Sequence, residues 1–287
     1  MPVLPTPLDL TTTAAAKIWA AVTGNNTDDL VQQLVTAASQ QIISYIGRNP
    51  LVANYTEVRD GNGNDSLSLW NWPVISVSSI TVANQYFSWG ETPIFPLSGN
   101  PANIAASVNA ITPGFIVDSG PDYSAPSRVA LVGCRFTRGR SNVTVRYQAG
   151  YSKTFPEAHI IATGTVSLNN AATFIRDGGV VHANGTPFVL VASAPAAGQY
   201  TVSAAGVYGF NAADNTQTVT NTYQFGQVPY DLVQACNEIV GQDLRRRSHI
   251  DEDSIVVAAQ NTNFSRLAIP RKTQMVLDTY RQRMVMA

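Results

Sequence analysis

Charge is scarce in this 287-residue chain: Asp, Glu, Lys and Arg make up 13% of it, about half the share usual in soluble domains. Ser, Thr, Asn, Gln and Ala fill the difference. Burying hydroxyls and amides costs far less than burying charges, so this composition suits faces covered by neighbours. A β-rich extracellular module is the alternative the same composition allows. The net charge of −1 and pI near 6.3 lack the basic excess of a nucleic-acid binder. A conduit for DNA is not excluded, because a wall that neutralises few phosphates does not hold the strand. Two cysteines, Cys134 and Cys236, lie far apart, which implies neither a disulfide framework nor a zinc site. Both are expected to be buried as small apolar residues. His159, His182 and His249 sit in separate contexts, with no partner at metal-ligand spacing. No run approaches the roughly 18 apolar residues of a membrane span, and the opening residues show no charged segment followed by an apolar one. Assembly in a reducing cytoplasm, with no membrane contact, is the expectation. There is no G-x-S-x-G elbow and no G-x-x-x-x-G-K loop. Asp60-x-Asn62-x-Asn64 begins like a calcium loop, but Asp65 and Asn71 stand where the glycine and the bidentate glutamate belong. A turn explains it, and no catalytic residue, metal or cofactor is assigned.

What is present is organised around Asp28 to Val82. Thr27 offers a hydroxyl to an orphan N–H, and Asp28 and Asp29 complement the dipole of a helix starting there. Leu30, Val31, Leu34, Val35, Ala38, Ile42, Ile43 and Ile46 recur at three- and four-residue spacing. Gly47 permits the left-handed cap and Pro50 stops the helix. Tyr55 to Arg59, the turn Asp60 to Asn64, and Ser66 to Leu69 predict a hairpin. Trp72 to Val82 predicts a third strand, with Pro73 at its edge.

Ser39 to Arg48, Tyr55-Thr56-Glu57, Asp60-Gly61, Leu67-Ser68-Leu69 and Pro73 to Val77, taken in this order, resemble the head-tail connector (adaptor, or head completion) proteins of tailed bacteriophages. The resemblance resumes at Gly133 to Tyr151 and at Val228 to Val240, about half the chain in all, and rests on packing and turn residues. It implies a small helical and β unit in a homo-oligomeric ring, of twelve copies, below the portal in the virion neck. It also implies portal and tail-side stopper or terminator partners, passage of genomic DNA, and a C-terminal helix reaching the portal.

Elsewhere, Met1 to Leu10 reads as an extended run and Thr11 to Val22 as a short helix, with Trp19 as a core or inter-helix packing residue. Asn84 to Gly120 loses periodicity and reads as a long connection. Val129 to Phe136 and Asn142 to Tyr151 return to strand character around a Thr137 to Ser141 turn. Its two arginines read as an exposed tip.

Val143 to Gly150 (VTVRYQAG) is echoed by Val219 to Gly226 (VTNTYQFG). In the resembled family the strand leads almost directly into a helix like the one at Pro229, so residues 153–226 read as an inserted β-domain, sandwich-like and suited to interaction. The connector core is then 1–152 with 227–287, and the fold class is α+β. Pro229 and Asp231 open a helix with Leu232, Ala235, Cys236, Ile239, Val240 and Leu244 on its apolar side. Arg245, Arg246 and Arg247 at its end either complement the dipole or contact DNA or an acidic partner. After a possible strand at Ile255 to Val257, a last helix starts at Pro270. Its stripe of Val276, Leu277, Tyr280 and Met284 must dock on something. By the resemblance, Val276, Leu277, Tyr280, Arg281, Arg283 and Met284 contact the portal; the alternative is docking on its own domain.

The leading expectation is therefore a structural, non-enzymatic connector subunit. A β-rich module binding a glycan or receptor predicts exposed aromatics clustered on 153–226. A β-rich hydrolase predicts carboxylates clustered in a cleft.

Overall fold

A computed structural model describes residues 4–82, 85–87, 114–118, 127–132, 134–246, 254–257, 260–263 and 269–281. The fold is α+β and divides into two compact units, Met1–Gly150 with Val228–Ala287, and Tyr151–Gln227.

The first unit opens with α1 (Thr13–Ala20), capped by the Thr12 hydroxyl, which accepts from the Ala15 N–H at 3.2 Å. Helix α2 (Asp28–Ile46) follows, stopped by Gly47 at φ 75° with its N–H on the Ile43 carbonyl. Thr27 precedes α2 as expected, but its hydroxyl makes no capping bond. Its carbonyl instead accepts the first helical bond, from Val31 at 2.9 Å, and the Lys17 ammonium pairs with Asp28 at the same helix end. Helices α3 (Tyr230–Arg246) and α4 (Arg271–Tyr280) complete the layer. Val31, Val35, Ile42 and Ile46 of α2 share one core with Leu232, Cys236, Ile239 and Val240 of α3 and with Leu277 of α4. Removing each such side chain from water contributes roughly 1.5–3 kcal/mol, which is what holds helices this short. Trp19 packs between helices: a Cβ on Gly241 of α3 would stand 2.3 Å from its ring. Ile18 beside it is left exposed.

The β-part of this unit consists of two sheets over a second core. One has the order β1 (Ala53–Gly61), β7 (Gly139–Ala149), β3 (Val74–Val82), β4 (Gln85–Phe87); the other has the order β2 (Ser66–Ser68), β6 (Arg128–Val132), β5 (Gly114–Asp118). The expected hairpin therefore does not form. β1 pairs with β7 and β2 with β6, each antiparallel. The intervening turn is tied instead to a distant segment: Gly63 donates to the Phe136 carbonyl at 2.7 Å and Phe136 donates to the Asn64 carbonyl at 2.8 Å. Val143, Val145, Tyr147 and Ala149 give β7 a fully buried face, so the central strand gains more by pairing on both edges than β1 gains from a local partner. Most of the expected connection from Asn84 to Gly120 lies outside the described residues. Gly150 ends the unit at φ 139°, where a Cβ would lie 2.6 Å from the Leu51 and Val52 backbone; only glycine fits that approach.

The second unit also has two layers. β8 (Ser152–Ile160), β14 (Thr218–Gly226) and β10 (Phe174–His182) form one. β9 (Thr165–Ser167), β13 (Val207–Phe210), β12 (Gln199–Val202) and β11 (Val189–Leu190) form the other, with β11 parallel to β12. Val166, Val180, Tyr208, Val219 and Tyr223 from both sheets meet in one core.

These strands repeat the plan of the first unit. Tyr55 faces Tyr147 and Glu57 faces Val145; Phe155 faces Tyr223 and Glu157 faces Asn221. On the other side of the central strand, Val77 and Ile80 meet Tyr147 and Val145 across a shifted register. Asp177 and Val180 meet Tyr223 and Asn221 across a shift at the corresponding place. In the second layer, Leu67 opposite Val129 matches Val166 opposite Tyr208, and Phe115 opposite Leu131 matches Tyr200 opposite Phe210. The echoed octapeptides are thus the central strands of two copies of one β arrangement.

Candidate functional site

Helix α4 carries Val276, Leu277 and Tyr280 of the residues singled out for partner contact, and its two faces divide them. Leu277 is fully buried in the helical core of its own unit, while Val276 and Tyr280 are half-buried. The Tyr280 hydroxyl donates to Asp231 at 2.5 Å, the Tyr45 hydroxyl to Asp278 at 2.6 Å, and Thr273 to Glu238 at 2.7 Å. Burial alone would raise the Glu238 pKa, but the bonds from Thr273 and Gln234 and the charge of Lys272 outweigh it and hold the carboxyl below its ordinary value. The buried Arg48 after α2 ties the helix end to the sheet region: it donates to the Tyr280 carbonyl at 3.3 Å and to the Trp72 carbonyl, and its guanidinium lies 4.3 Å above the Trp72 ring. Arg271, Lys272, Gln274, Asp278 and Thr279 of α4 face outward, together with Met275, 73% exposed, and Arg281, whose guanidinium lies 5.4 Å from the Tyr45 ring. Arg283 and Met284 fall outside the described residues. Arg245 is exposed on the last turn of α3, the side chain of Arg246 is not among those described, and Arg247 lies outside the described residues.

The β arrangements carry carboxylates inward. Glu57 accepts from the Trp70 N–H at 2.9 Å and from the Tyr147 hydroxyl, with Arg59 at 3.4 Å. Its counterpart Glu157 accepts from the Tyr223 hydroxyl at 2.6 Å, from the Asn169 side chain, and from the Asn169 N–H at 3.4 Å. His159 stands 3.1 Å from that carboxylate without hydrogen-bond alignment. Glu57 and Glu157 are 4% and 7% exposed; their oxygens are spent on hydroxyls and backbone amides, which is the chemistry of a satisfied buried acid rather than of a general base. Asp177 likewise takes the Tyr208 hydroxyl at 2.8 Å and the Tyr200 hydroxyl. Among the described residues no group of three or more His, Cys, Asp or Glu is placed to hold a metal ion. The calcium-like residues serve the turn: Asn62 accepts from the Asn64 N–H at 2.9 Å, and Asp60 from the Ser141 N–H at 2.6 Å.

Burial, reinforced by the bonded carboxylates, raises the pKa values of Tyr147, Tyr200 and Tyr208. The unfolded chain therefore loses these protons first. Their contribution to stability is complete below the ordinary tyrosine value of about 10 and is lost as pH rises beyond it. Urea unfolding should show stability falling between about pH 9.5 and about pH 11.5, with a shallower fall in Tyr208→Phe. An unchanged slope in that variant would contradict the assignment.

The aromatics of the second unit point inward. Phe188, Tyr200, Tyr208, Phe210, Tyr223 and Phe225 are buried, and Phe155 is 40% exposed, so the exposed aromatic cluster expected of a glycan or receptor binder is not what these side chains form. Cys236 is buried beside the Ser39 hydroxyl, and burial pushes its thiol up to about 11. Cys134, expected to be buried as well, is only half-buried because it follows β6 at the sheet end. The outward face of the first sheet forms a shallow depression of about 260 Å³, bordered by Asn54, Thr56, Ser76, Ser78, Arg146 and Gln148. Arg146 is the one charge among these six. Sequence reading passed over this face, although the alternation of Ser, Thr, Asn and Gln with buried residues marks it.

Residues 9–91 match the family model described as Head completion protein. The resemblance to phage head-tail connector proteins is thereby shown over α1, α2 and β1 to β4. That family is one of structural phage proteins rather than enzymes. No curated protein matches the chain. No helix among the described residues is long and apolar enough to cross a membrane.

Proposed function

We propose that this chain is a virion connector subunit that assembles into a ring, of twelve copies by the family resemblance, between the portal and a tail-side stopper or terminator. The observation that carries the reading is the head-completion match over residues 9–91. The ring surrounds the channel through which genomic DNA passes and sits in the virion neck, having assembled in the host cytoplasm. Its task is mechanical continuity without turnover. The low charge of the chain supports it, since obligate interfaces bury upward of about 2,000 Å² and exclude unpaired charge.

In this reading residues 1–152 and 227–287 are the connector core, and 153–226 is an inserted, sandwich-like β-domain. Ser152 pairs with Gly226, so the two ends of the insert leave side by side and need little from the core to accommodate them. The insert presents an interaction surface: of its charged residues, only Lys153 and Arg176 are exposed. Helix α4 is the docking helix, with Leu277 and Tyr280 as its anchors. Val276, Arg281, Arg283 and Met284, joined by Met275, face the portal. Arg245, Arg246 and Arg247 meet DNA or an acidic partner.

The test is co-sedimentation of the chain with a portal ring from the same virus. The wild-type chain should travel with the portal, and Met275→Asp with Arg281→Glu should abolish this while leaving the melting temperature unchanged. A chain that ignores the portal in both forms would overturn the portal assignment.

A further inference from the structure

The repeat allows one edge to be compared with its own counterpart. β1 and β8 are the outer strands of equivalent sheets, pairing with β7 and β14 respectively. An outer strand of nine residues presents a row of unused N–H and C=O groups, which is a template for another strand unless it is guarded. β8 is guarded. Pro156 sits in the middle of it opposite Thr222, and Lys153 lies near its start. Proline is tolerated in a strand where its missing N–H faces away from the neighbour, so Pro156 blunts the open side. At the equivalent register β1 carries Thr56, opposite Arg146, and Ala53 near its start. The edge closed in one copy of the arrangement is, among the described residues, open in the other.

The same chain holds a strand pair in search of a sheet. β15 (Ser254–Val257) and β16 (Gln260–Asn263) pair with each other, and among the described residues with no third strand. A two-stranded hairpin alone is marginal in water, and β15 carries Ile255, Val256 and Val257, residues that favour a sheet. Hairpin and open edge belong to one compact unit, yet within a single chain they do not pair.

We propose that the β15–β16 hairpin of one copy adds to the open edge of β1 in a second copy, extending the sheet across the subunit boundary. This rests on the self-assembly in the reading above and gives it a direction. Hairpin and edge are different surfaces, so the contact is heterologous. Each copy gives one hairpin and receives one, so the contact closes a ring, of which a reciprocal pair is the smallest, or runs on as a filament. The depression bordered by Asn54, Thr56 and Arg146 lies beside this edge, so the added strand is flanked by hydroxyl and amide groups able to bond with it.

The experiment uses native mass spectrometry of the full chain with two variants. Thr56→Pro places in β1 the guard that β8 already tolerates at the same register, and Val256→Pro acts in the hairpin. The wild type should assemble and each variant should fall to the mass of one chain, 30.8 kDa, with an unaltered circular dichroism spectrum. Should Thr56→Pro fail to fold, Val256→Pro decides, because among the described residues no other strand pairs with the hairpin. As a positive measurement, Thr56→Cys and Val256→Cys carried on separately tagged chains, with Cys134→Ser in both, should form a disulfide between unlike tags on oxidation. Assembly that survives both proline variants, or a hairpin that cross-links to the portal and not to a second copy, overturns the proposal while leaving the ring intact. A wild type that stays at one chain's mass with and without portal would sink the ring reading itself.

Discussion

Leu277→Ala is expected to lower the unfolding free energy of the first unit by roughly 2–4 kcal/mol, the range for truncating a fully enclosed leucine whose surroundings relax only in part. Leu277 is the side chain of α4 that enters the helical core, and a ten-residue helix has little stability of its own. The loss should therefore appear first as release of the helix. Amide exchange over residues 271–280 should accelerate in the variant well before global unfolding, and the Tyr280–Asp231 and Thr273–Glu238 bonds should fail together. Leu277→Met, close in volume, should cost under about 1.5 kcal/mol. An alanine variant with unchanged exchange over α4 would show that the polar bonds alone hold the helix.

Glu57→Ala should cost about 2–6 kcal/mol, because it strands two donors at once, the Trp70 N–H and the Tyr147 hydroxyl, each at about 1–3 kcal/mol when buried without a partner. Glu57→Gln keeps an acceptor in place and should recover more than half of the loss. The repeat supplies an internal replicate: Glu157→Ala strands the Tyr223 hydroxyl and the Asn169 amide and should destabilise the second unit by a similar amount while sparing the first. Chemical unfolding followed separately in the two units reads both. Equal effects of Glu57→Ala on the two units would contradict the idea that each arrangement is held by its own carboxylate.

Local signals were legible in the sequence and distant pairing was not. α2 declared itself through Asp28, the apolar stripe and Gly47, all of which act within a few residues. β7 and β14 declared themselves through alternation. The partner of β1 did not, since the DGNGN turn promised a local hairpin while the real partner lay beyond a long intervening stretch. β8 was overlooked because Lys153, Pro156, Glu157 and His159 lower its strand character; those residues suit an edge. The VTVRYQAG and VTNTYQFG echo was visible as a string, but its meaning emerged only from the pairing, where Glu57 and Glu157 occupy one register and Tyr147 and Tyr223 another. For the candidate surfaces, Arg245 and Arg281 were legible as outward cations. Leu277 was legible as part of a docking stripe, but whether that stripe met the portal or its own domain was not; Leu277 turns into the core of its own unit, and Met275, about 200° around the helix from it, turns outward.

The most direct test of the connector account is the mass of the purified chain in solution, alone and mixed with its portal ring. The account predicts a ring-sized assembly, or one that forms on the portal, in place of the 30.8 kDa single chain. A species that remains at the mass of one chain in both conditions would contradict it.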